Sequence, residues 1–484
     1  MKHKNIKYIF AIVAVSFLWS CKKQLNVYPT TSEVDGNVIV DTKSASTVLN
    51  GVYYRFANSG SDNNLVPSVK WIDVNEILPS ELANSLSNSS GDDKVYSLGL
   101  DAKSNASSIM WNYGYQLVNA ANGFLKNVAT VKSIPAATKK QMIAEAKFLR
   151  AFGDTQLLLY FGQYYDSSSK YGIILRSEFV TSENITLPRS TVAETYAAII
   201  ADLEAAIPDL PAKNTTSYYA NASAAKILEA RLLINRGTAA DYAKVISLTS
   251  DVIANGGFTL EANVKDIFLT KGFTSTEVIM GVQPFATETY KYQTNQYYGQ
   301  YPASDGFVTL LTNDPRNQWV YRDDQGGTVY GGAYGDLNEI TKYYSGDTGN
   351  PVQTPLSETS YAFRLTEAYL LEAEAIALSG GDLPTARGLL KTVEGHAGIT
   401  NFSDVDAATT GTALQALVVK EEVKNFFAEA GQDWFALRRL GISGSQPNIT
   451  AIATIQPAAK LVNQLILPIP NTEITTNGNI IQNP

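Results

Sequence analysis

Ala144-Glu145-Ala146-Lys147-Phe148-Leu149-Arg150-Ala151-Phe152 is the stretch whose reading decides the fold. Phe148, Leu149, Phe152 and, further on, Leu159 fall on one face of a helix, and the alanines between them let a second helix approach closely. Val192, Tyr196, Ile199, Ile200, Leu203 and Ile207 repeat the pattern. That helix opens at Pro188-Arg189-Ser190-Thr191, where Ser190 or Thr191 can cap it and Glu194 can complete a capping box. It closes at Pro208 and Pro211. The same periodicity predicts helices over 44–57, 106–131, 220–236, 241–255, 361–378, 383–394 and 414–431. Helical pairs of this size imply a mainly α, tetratricopeptide-like helical-repeat scaffold, although no strict repeat of about 34 residues runs through it.

Two segments break the helical texture. Residues 258–359 are rich in Gly, Tyr, Asn and Asp, with short β-like runs at 277–282 and 327–330. They are too long for a plain loop and read as a large irregular, loop-rich and short-strand subdomain. The polar stretch 80–101 precedes the helix over 106–131. Inserted segments on a rigid frame are where functional surfaces tend to form.

The first twenty-one residues read as a targeting segment. Lys2, Lys4 and Lys7 precede an uncharged apolar run from Tyr8 to Trp19, shorter than the ~20 residues a membrane span needs. The run ends in Leu18-Trp19-Ser20-Cys21, which looks like a lipobox, so residues 1–20 read as a lipoprotein signal peptide. Cys21 is then the lipid-bearing first residue of the mature chain, residues 21–41 a lead, and residues 42–484 one domain. It is the single cysteine, which leaves none for a disulfide or a thiolate metal site.

Composition narrows the chemistry. A net charge of −8 with no basic stripe argues against nucleic acid as a partner. The two histidines are His3, in the signal segment, and His396, in the glycine-flanked turn Glu394-Gly395-His396-Ala397-Gly398, which reads as a solvated loop. A Ser-His-Asp triad or a histidine metal site is therefore not expected, and no metal or cofactor is assigned. Asp323-Asp324-Gln325-Gly326-Gly327 lacks the spaced acidic register of a calcium loop and reads as a turn. Glu367, Glu372 and Glu374 sit in an otherwise apolar helix, so at least one is expected to be buried and paired, with Arg150, Arg364 or Arg438 as partner. A glycoside hydrolase would need two carboxyls about 5–10 Å apart in a cleft, and a scaffold ion pair is the better reading.

With these landmarks in order, the chain resembles the SusD/RagB family of outer-membrane nutrient-uptake lipoproteins over essentially its whole mature length. The residues that carry the resemblance are Leu25-Asn26 and Pro29; Ala144 to Phe152; Arg189-Ser190-Thr191-Val192 leading to Ile200-Ala201-Asp202-Leu203-Glu204; Ala225 to Leu232; Asp314-Pro315-Arg316; Arg364-Leu365-Thr366-Glu367 with Ala373-Glu374-Ala375; Leu467-Pro468-Ile469-Pro470; and Gln482-Asn483-Pro484. Departures occur at Ala430, Asp433 and Ala436, which replace three positions that are charged in the family, and around Val393 to Gly398. The resemblance implies a non-catalytic surface lipoprotein of the cell outer membrane. It would capture a nutrient, most often an oligosaccharide and otherwise a peptide, and hand it to a SusC-like TonB-dependent transporter. The lysines Lys22 and Lys23 after the lipid site differ from the acidic residues often found there in the family, so surface display is implied by the family and not by the anchor. A surface scaffold that grips another protein through its helical repeats is the alternative.

Sugars bind by laying C–H faces on flat rings and giving hydroxyls to planar polar groups, which suits Tyr and Trp. Of 27 tyrosines and five tryptophans, the densest supply in loop-like sequence is Tyr290, Tyr292, Tyr297, Tyr298 and Tyr301, then Trp319, Tyr321, Tyr330, Tyr334, Tyr343 and Tyr344. A second group lies near the start, with Trp71, Asp73, Asn75 and Tyr96. The candidate platform drawn from both groups is Trp71, Asn75, Tyr96, Tyr297, Tyr298, Tyr301, Trp319 and Tyr330, whereas Trp111 and Trp434 read as structural.

Overall fold

The computed structural model describes residues 38–57, 71–89, 91, 93–282, 300–323, 338–344, 354–442 and 444–484. The signal segment, Cys21, nearly all of the lead, the run 327–330 and the candidates Tyr297, Tyr298 and Tyr330 lie outside them.

The chain is mainly helical. After α1 (Thr42–Ala57), a π-helical turn (Asp73–Ile77) runs into the short α2 (Leu78–Leu82). Two long helices follow, α3 (Asn105–Ala129) and α4 (Ala136–Phe161), the second containing the Phe148–Phe152 face. They form an antiparallel pair, with Asn122 against Arg150 and Gly114 against Gly153. A Cβ on Gly114 would fall 2.5 Å from the Leu157 side chain, and one on Gly153 3.1 Å from the Gly114 carbonyl, so both glycines are needed for the close crossing. α5 (Val192–Ala206) opens with the expected capping box of Thr191 and Glu194. α6 (Ala222–Arg236) and α7 (Ala239–Asn255) form the next pair, separated by Gly237 at φ 71°.

The irregular segment contributes β1 (Val278–Val282), α8 (Asp305–Leu310), β2 (Tyr321–Asp323) and β3 (Asn338–Ile340). Helices resume with β4 (Ser360–Arg364) feeding directly into α9 (Leu365–Ser379), then α10 (Leu383–His396), α11 (Ser403–Ala407) and α12 (Gly411–Asn425). The chain ends through α13 (Gln432–Leu437), α14 (Ile449–Ile452) and α15 (Asn471–Thr476). α9 is the hub, packing on α7, α10 and α12. One large core unites α1 and α3–α7 with parts of α9 and α12, and a smaller one lies under the irregular segment, around Phe268, Phe307, Tyr343, Tyr361 and Phe427.

Two element boundaries differ from the periodicity. Residues 361–364, expected as the start of a helix, form most of β4, because β1 pairs with it antiparallel. That pairing joins residues more than 75 apart in sequence, beyond the reach of a local pattern. The helix expected over 414–431 stops at Asn425, and Ala428, Ala430 and Gly431 take left-handed φ of 54°, 50° and 71°. Buried groups from the irregular segment stabilise this ending: Lys342 Nζ donates to the Phe427 carbonyl at 2.6 Å and Tyr343 Oη to the Ala428 carbonyl at 2.7 Å.

Buried ion pairs tie the layers together, with partners other than those expected. Glu367 is held by Arg231, at 2.7 and 2.8 Å, and Glu374 by Arg439. Arg150 instead binds Asp202 at 2.7 and 2.8 Å, and Arg364 bridges Glu277 and Glu429. Arg438 donates to the Leu159 and Leu465 carbonyls and lies over the Tyr164 ring, 4.2 Å from its centroid. Spacing along one helix does not reveal which arginine crosses from another element, and that is why the pairing was misread.

Candidate functional site

The two groups of candidate residues, far apart in sequence, approach one another through a short backbone ladder. Leu86 bridges Ala303 antiparallel; Ser87 N–H donates to the Pro302 carbonyl at 2.9 Å, Ser89 N–H to Gln300 at 3.0 Å, and Ser304 N–H to Ser85 at 3.0 Å. Ala303 N–H in turn donates to the Asn338 carbonyl at 2.8 Å, which brings β3 alongside. The polar stretch 80–101 and the irregular subdomain therefore build one wall together.

The C-terminal part of the chain fixes this wall from behind. Gln456 is buried, and its Nε2 donates to the carbonyls of Leu82 (2.8 Å) and Tyr96 (3.1 Å), while Asn84 Nδ2 donates to Ile455 at 2.6 Å. Asn84 takes a φ of 60° there, a left-handed conformation asparagine tolerates better than most residues.

A cavity of about 420 Å³ opens between the ladder, the π-helical turn and the start of α3, lined by Asp73, Glu81, Asn88, Lys94, Ser104 and Tyr301 among others. Asp73, Ile77 and Glu81 line it at intervals of four, as one stripe of a helix. A π-helical turn inside an α-helix frequently marks a functional site. A second cavity of about 320 Å³ lies on the other side of Leu100, between Leu82, Leu98 and the C-terminal residues Leu467, Pro468 and Pro484.

Of the residues singled out from sequence, Tyr301 and Asp73 line the larger cavity. Tyr96 lies half-buried in the adjoining turn, and burial, with the Asp305 carboxylate nearby, pushes its phenol up. Trp319 is partly exposed but belongs to the smaller core, its ring 5.9 Å from that of Phe268. Trp71 differs from its expectation: it is fully buried, stacked 6.0 Å from Phe152 and 5.1 Å from Phe56, and presents no ring face to solvent. Asn75 is buried in the π-helical turn as well. The apolar residues between them, Ile72 and Val74, are also buried, so most of the turn is drawn into the core while Asp73 remains on the cavity side. Trp111 and Trp434 are buried, as their helical context implied. His396 ends α10 half-buried, with Nδ1 on the Glu261 carbonyl, and is not a solvated loop residue.

Asn88, Lys94 and Ser104 were not singled out; the polar texture of 80–101 was the only sequence signal for Asn88 and Lys94, and Ser104 lies beyond it. The lining mixes one ring with amide, hydroxyl, ammonium and carboxylate groups. Such a surface can hold a polyhydroxylated ligand by stacking and by hydrogen bonds in both directions. Among the described residues no group of three His, Cys, Asp or Glu side chains is arranged to hold a metal ion, and no helix is long and apolar enough to cross a membrane.

Residues 32–233 match a family model described as starch-binding, associating with the outer membrane, and residues 285–484 match the model of the SusD family. No curated protein matches the chain. Solved structures do. A SusD superfamily protein of Bacteroides thetaiotaomicron superposes with a TM-score of 0.73 at 20% identity, covering 92% of this chain and 100% of that one. One of Parabacteroides distasonis gives 0.73 at 21% identity, covering 91% and 98%. A laminarin binding SusD-like protein gives 0.70 at 19% identity, covering 92% and 100%. At these identities the likeness shows the shared helical fold.

Proposed function

The chain belongs to the SusD/RagB family, and from that premise we propose that it is a non-catalytic binding lipoprotein that captures an oligosaccharide. It would hold the ligand outside the cell, tethered to the outer membrane through Cys21, and pass it to a SusC-like TonB-dependent barrel. The observation that supports a binding role is the cavity walled by residues 85–89 and 300–304, with Tyr301, Asp73 and Asn88 in its lining. Tyr96, Trp319, Tyr297, Tyr298 and Tyr330 are proposed as further aromatic residues that take part in ligand binding. A solved relative described as laminarin binding supports a glycan over a peptide as the cargo. The test is a glycan array and a peptide panel on the purified full chain, together with a pull-down from envelope extracts. Glycan binding without turnover, and a large barrel on the beads, is the expected result. Silence in both panels with no barrel recovered would end this reading, and release of product from a glycan would replace it with a hydrolase.

A further inference from the structure

Large apolar side chains left exposed among the described residues are not scattered. Val40, Phe179, Ile185, Leu187, Leu461 and Ile481 are all carried on segments laid along α3, and only Tyr219 lies elsewhere. The loop bearing Phe179 is fastened to α3 by side chains: Asn119 Oδ1 accepts from Val180 N–H at 2.8 Å, and Asn122 Nδ2 donates to the carbonyls of Arg176 and Glu178. Phe179 itself covers Gly123, where a Cβ would come within 3.2 Å of its ring. The C-terminal segment is laid against the far end of the same loop, with Asn477 Nδ2 donating to Leu187 and Asn479 Nδ2 to Thr186, which positions Ile481. Leu461 lies two residues before Asn463, which with Gln464 lines a cavity together with Ala102, just ahead of the N-terminal end of α3. Val40 lies beyond the C-terminal end, its carbonyl accepting from Ser133 Oγ at 2.6 Å. The belt thus follows a helix of 25 residues, about 37 Å long.

Charge beside this helix is uneven: Lys126 is the lysine on α3 itself, further lysines flank it, and the loop bearing Phe179 and Ile185 also carries the exposed Glu178 and Glu183. The chain as a whole carries −8, yet between Asp101 and Glu145 it has no acidic residue and five lysines: Lys103, Lys126, Lys132, Lys139 and Lys140. Lys126, Lys132 and Lys140 are exposed, and Lys126 Nζ stands 5.9 Å over the Phe179 ring. Apolar side chains at the surface with lysines around them are the chemistry of a surface that settles into an anionic headgroup layer.

We infer that the α3 face is a lipid-facing surface that docks on an anionic leaflet. The inference rests on the reading that the protein is tethered through Cys21. A tether alone would leave the body free to tumble at the end of its lead, whereas this face holds it in one orientation.

The test places an environment-sensitive fluorophore at Ile185→Cys or, as a control far from α3, at Ser403→Cys in the full chain, bound to vesicles of phosphatidylcholine with or without phosphatidylglycerol. On anionic vesicles the Ile185 probe shifts to the blue and is quenched by brominated lipid, while the Ser403 probe is not. Lys126→Glu with Lys132→Glu and Lys140→Glu lowers that quenching by at least ~10-fold with an unchanged Tm, since each lysine near a charged leaflet contributes a several-fold effect. Flotation with the vesicles but no quenching at Ile185 overturns the lipid-facing surface and keeps the tether. Failure of both flotation and quenching removes both readings. Quenching or protection at Ile185 that arises only when a barrel protein is reconstituted alongside assigns the face to that protein and overturns its assignment to lipid.

Discussion

Arg189 Nη1 donates to Asn483 Oδ1 at 2.8 Å, joining the start of α5 to the last residues of a chain that is 294 positions further on. The same guanidinium binds the carbonyls of Phe161, Gly172 and Ile481, and Asn483 Nδ2 donates to Leu467. Three stretches that stood out separately in sequence, around Arg189, Leu467–Pro470 and Gln482–Pro484, are therefore one clamp. Burial holds the arginine below its usual range, at about 10, so its hydrogen bonds carry the cost of desolvating it. Asn483→Ala is expected to destabilise the fold by about 1.5–3 kcal/mol, the range for a lost hydrogen bond to a charged group. Urea unfolding measures it, and an unchanged midpoint would mean the C-terminus is a passive tail.

Arg231 and Glu367 are buried to 0% and 4% side-chain exposure, with the guanidinium 4.5 Å over the Phe363 ring. Removing one partner leaves an unpaired charge in the core, so Glu367→Gln is expected to cost about 3–5 kcal/mol. Replacing both, with Arg231→Met and Glu367→Leu, should cost clearly less than the two single changes added together. Additive losses across the four proteins would show that the two side chains act independently.

Asp154 is buried in the middle of α4, and desolvation pushes its carboxyl up to about 8, against partial relief from Arg150. A carboxyl raised in the folded state keeps its proton while the unfolded chain has lost it. Its contribution is full below the unfolded pKa near 4 and is lost as pH rises towards 8. Asp154→Asn should therefore gain stability relative to the parent as pH goes from 5 to 8. Parallel stability curves for the two proteins over that window would contradict a protonated Asp154.

Tyr301 lines the cavity, whereas Trp71 belongs to the core. Tyr301→Ala is expected to weaken binding of a glycan identified on the array by about 0.5–1.5 kcal/mol, roughly 2- to 10-fold, with Tm preserved. Trp71→Phe should do the opposite, lowering Tm with affinity unchanged, because its ring is packed on Phe56 and Phe152. Calorimetry with both variants decides it, and loss of affinity in Trp71→Phe alone would place the ligand elsewhere.

The helices were legible because their signals are local. The face through Phe148 and Phe152, and the Thr191–Glu194 cap, need only neighbours three or four residues away, and both stand in the structure as the spacing implied. The candidate site was legible in texture only. Asp73 and Tyr301 meet at one cavity because Ser85–Ser89 pairs with Gln300–Ser304, and neither strand has an alternating pattern that would announce it. Trp71 was misplaced for a related reason: a tryptophan beside polar residues looks like a surface ring until the opposite wall, here Phe152, is known.

By itself, the sequence determined the class of fold and its family, because periodicity, caps and ordered landmarks are properties of short segments. The tertiary structure decided everything that depends on distance across the chain. It chose Arg231 over Arg364 as the partner of Glu367, turned residues 361–364 from helix to strand, and set the C-terminal residues against Arg189. It also gathered exposed apolar side chains from three separate segments along one lysine-bearing helix. A buried charge or an unpaired strand takes its energy from whichever group packing brings to it, and that group is named only when the chain has closed.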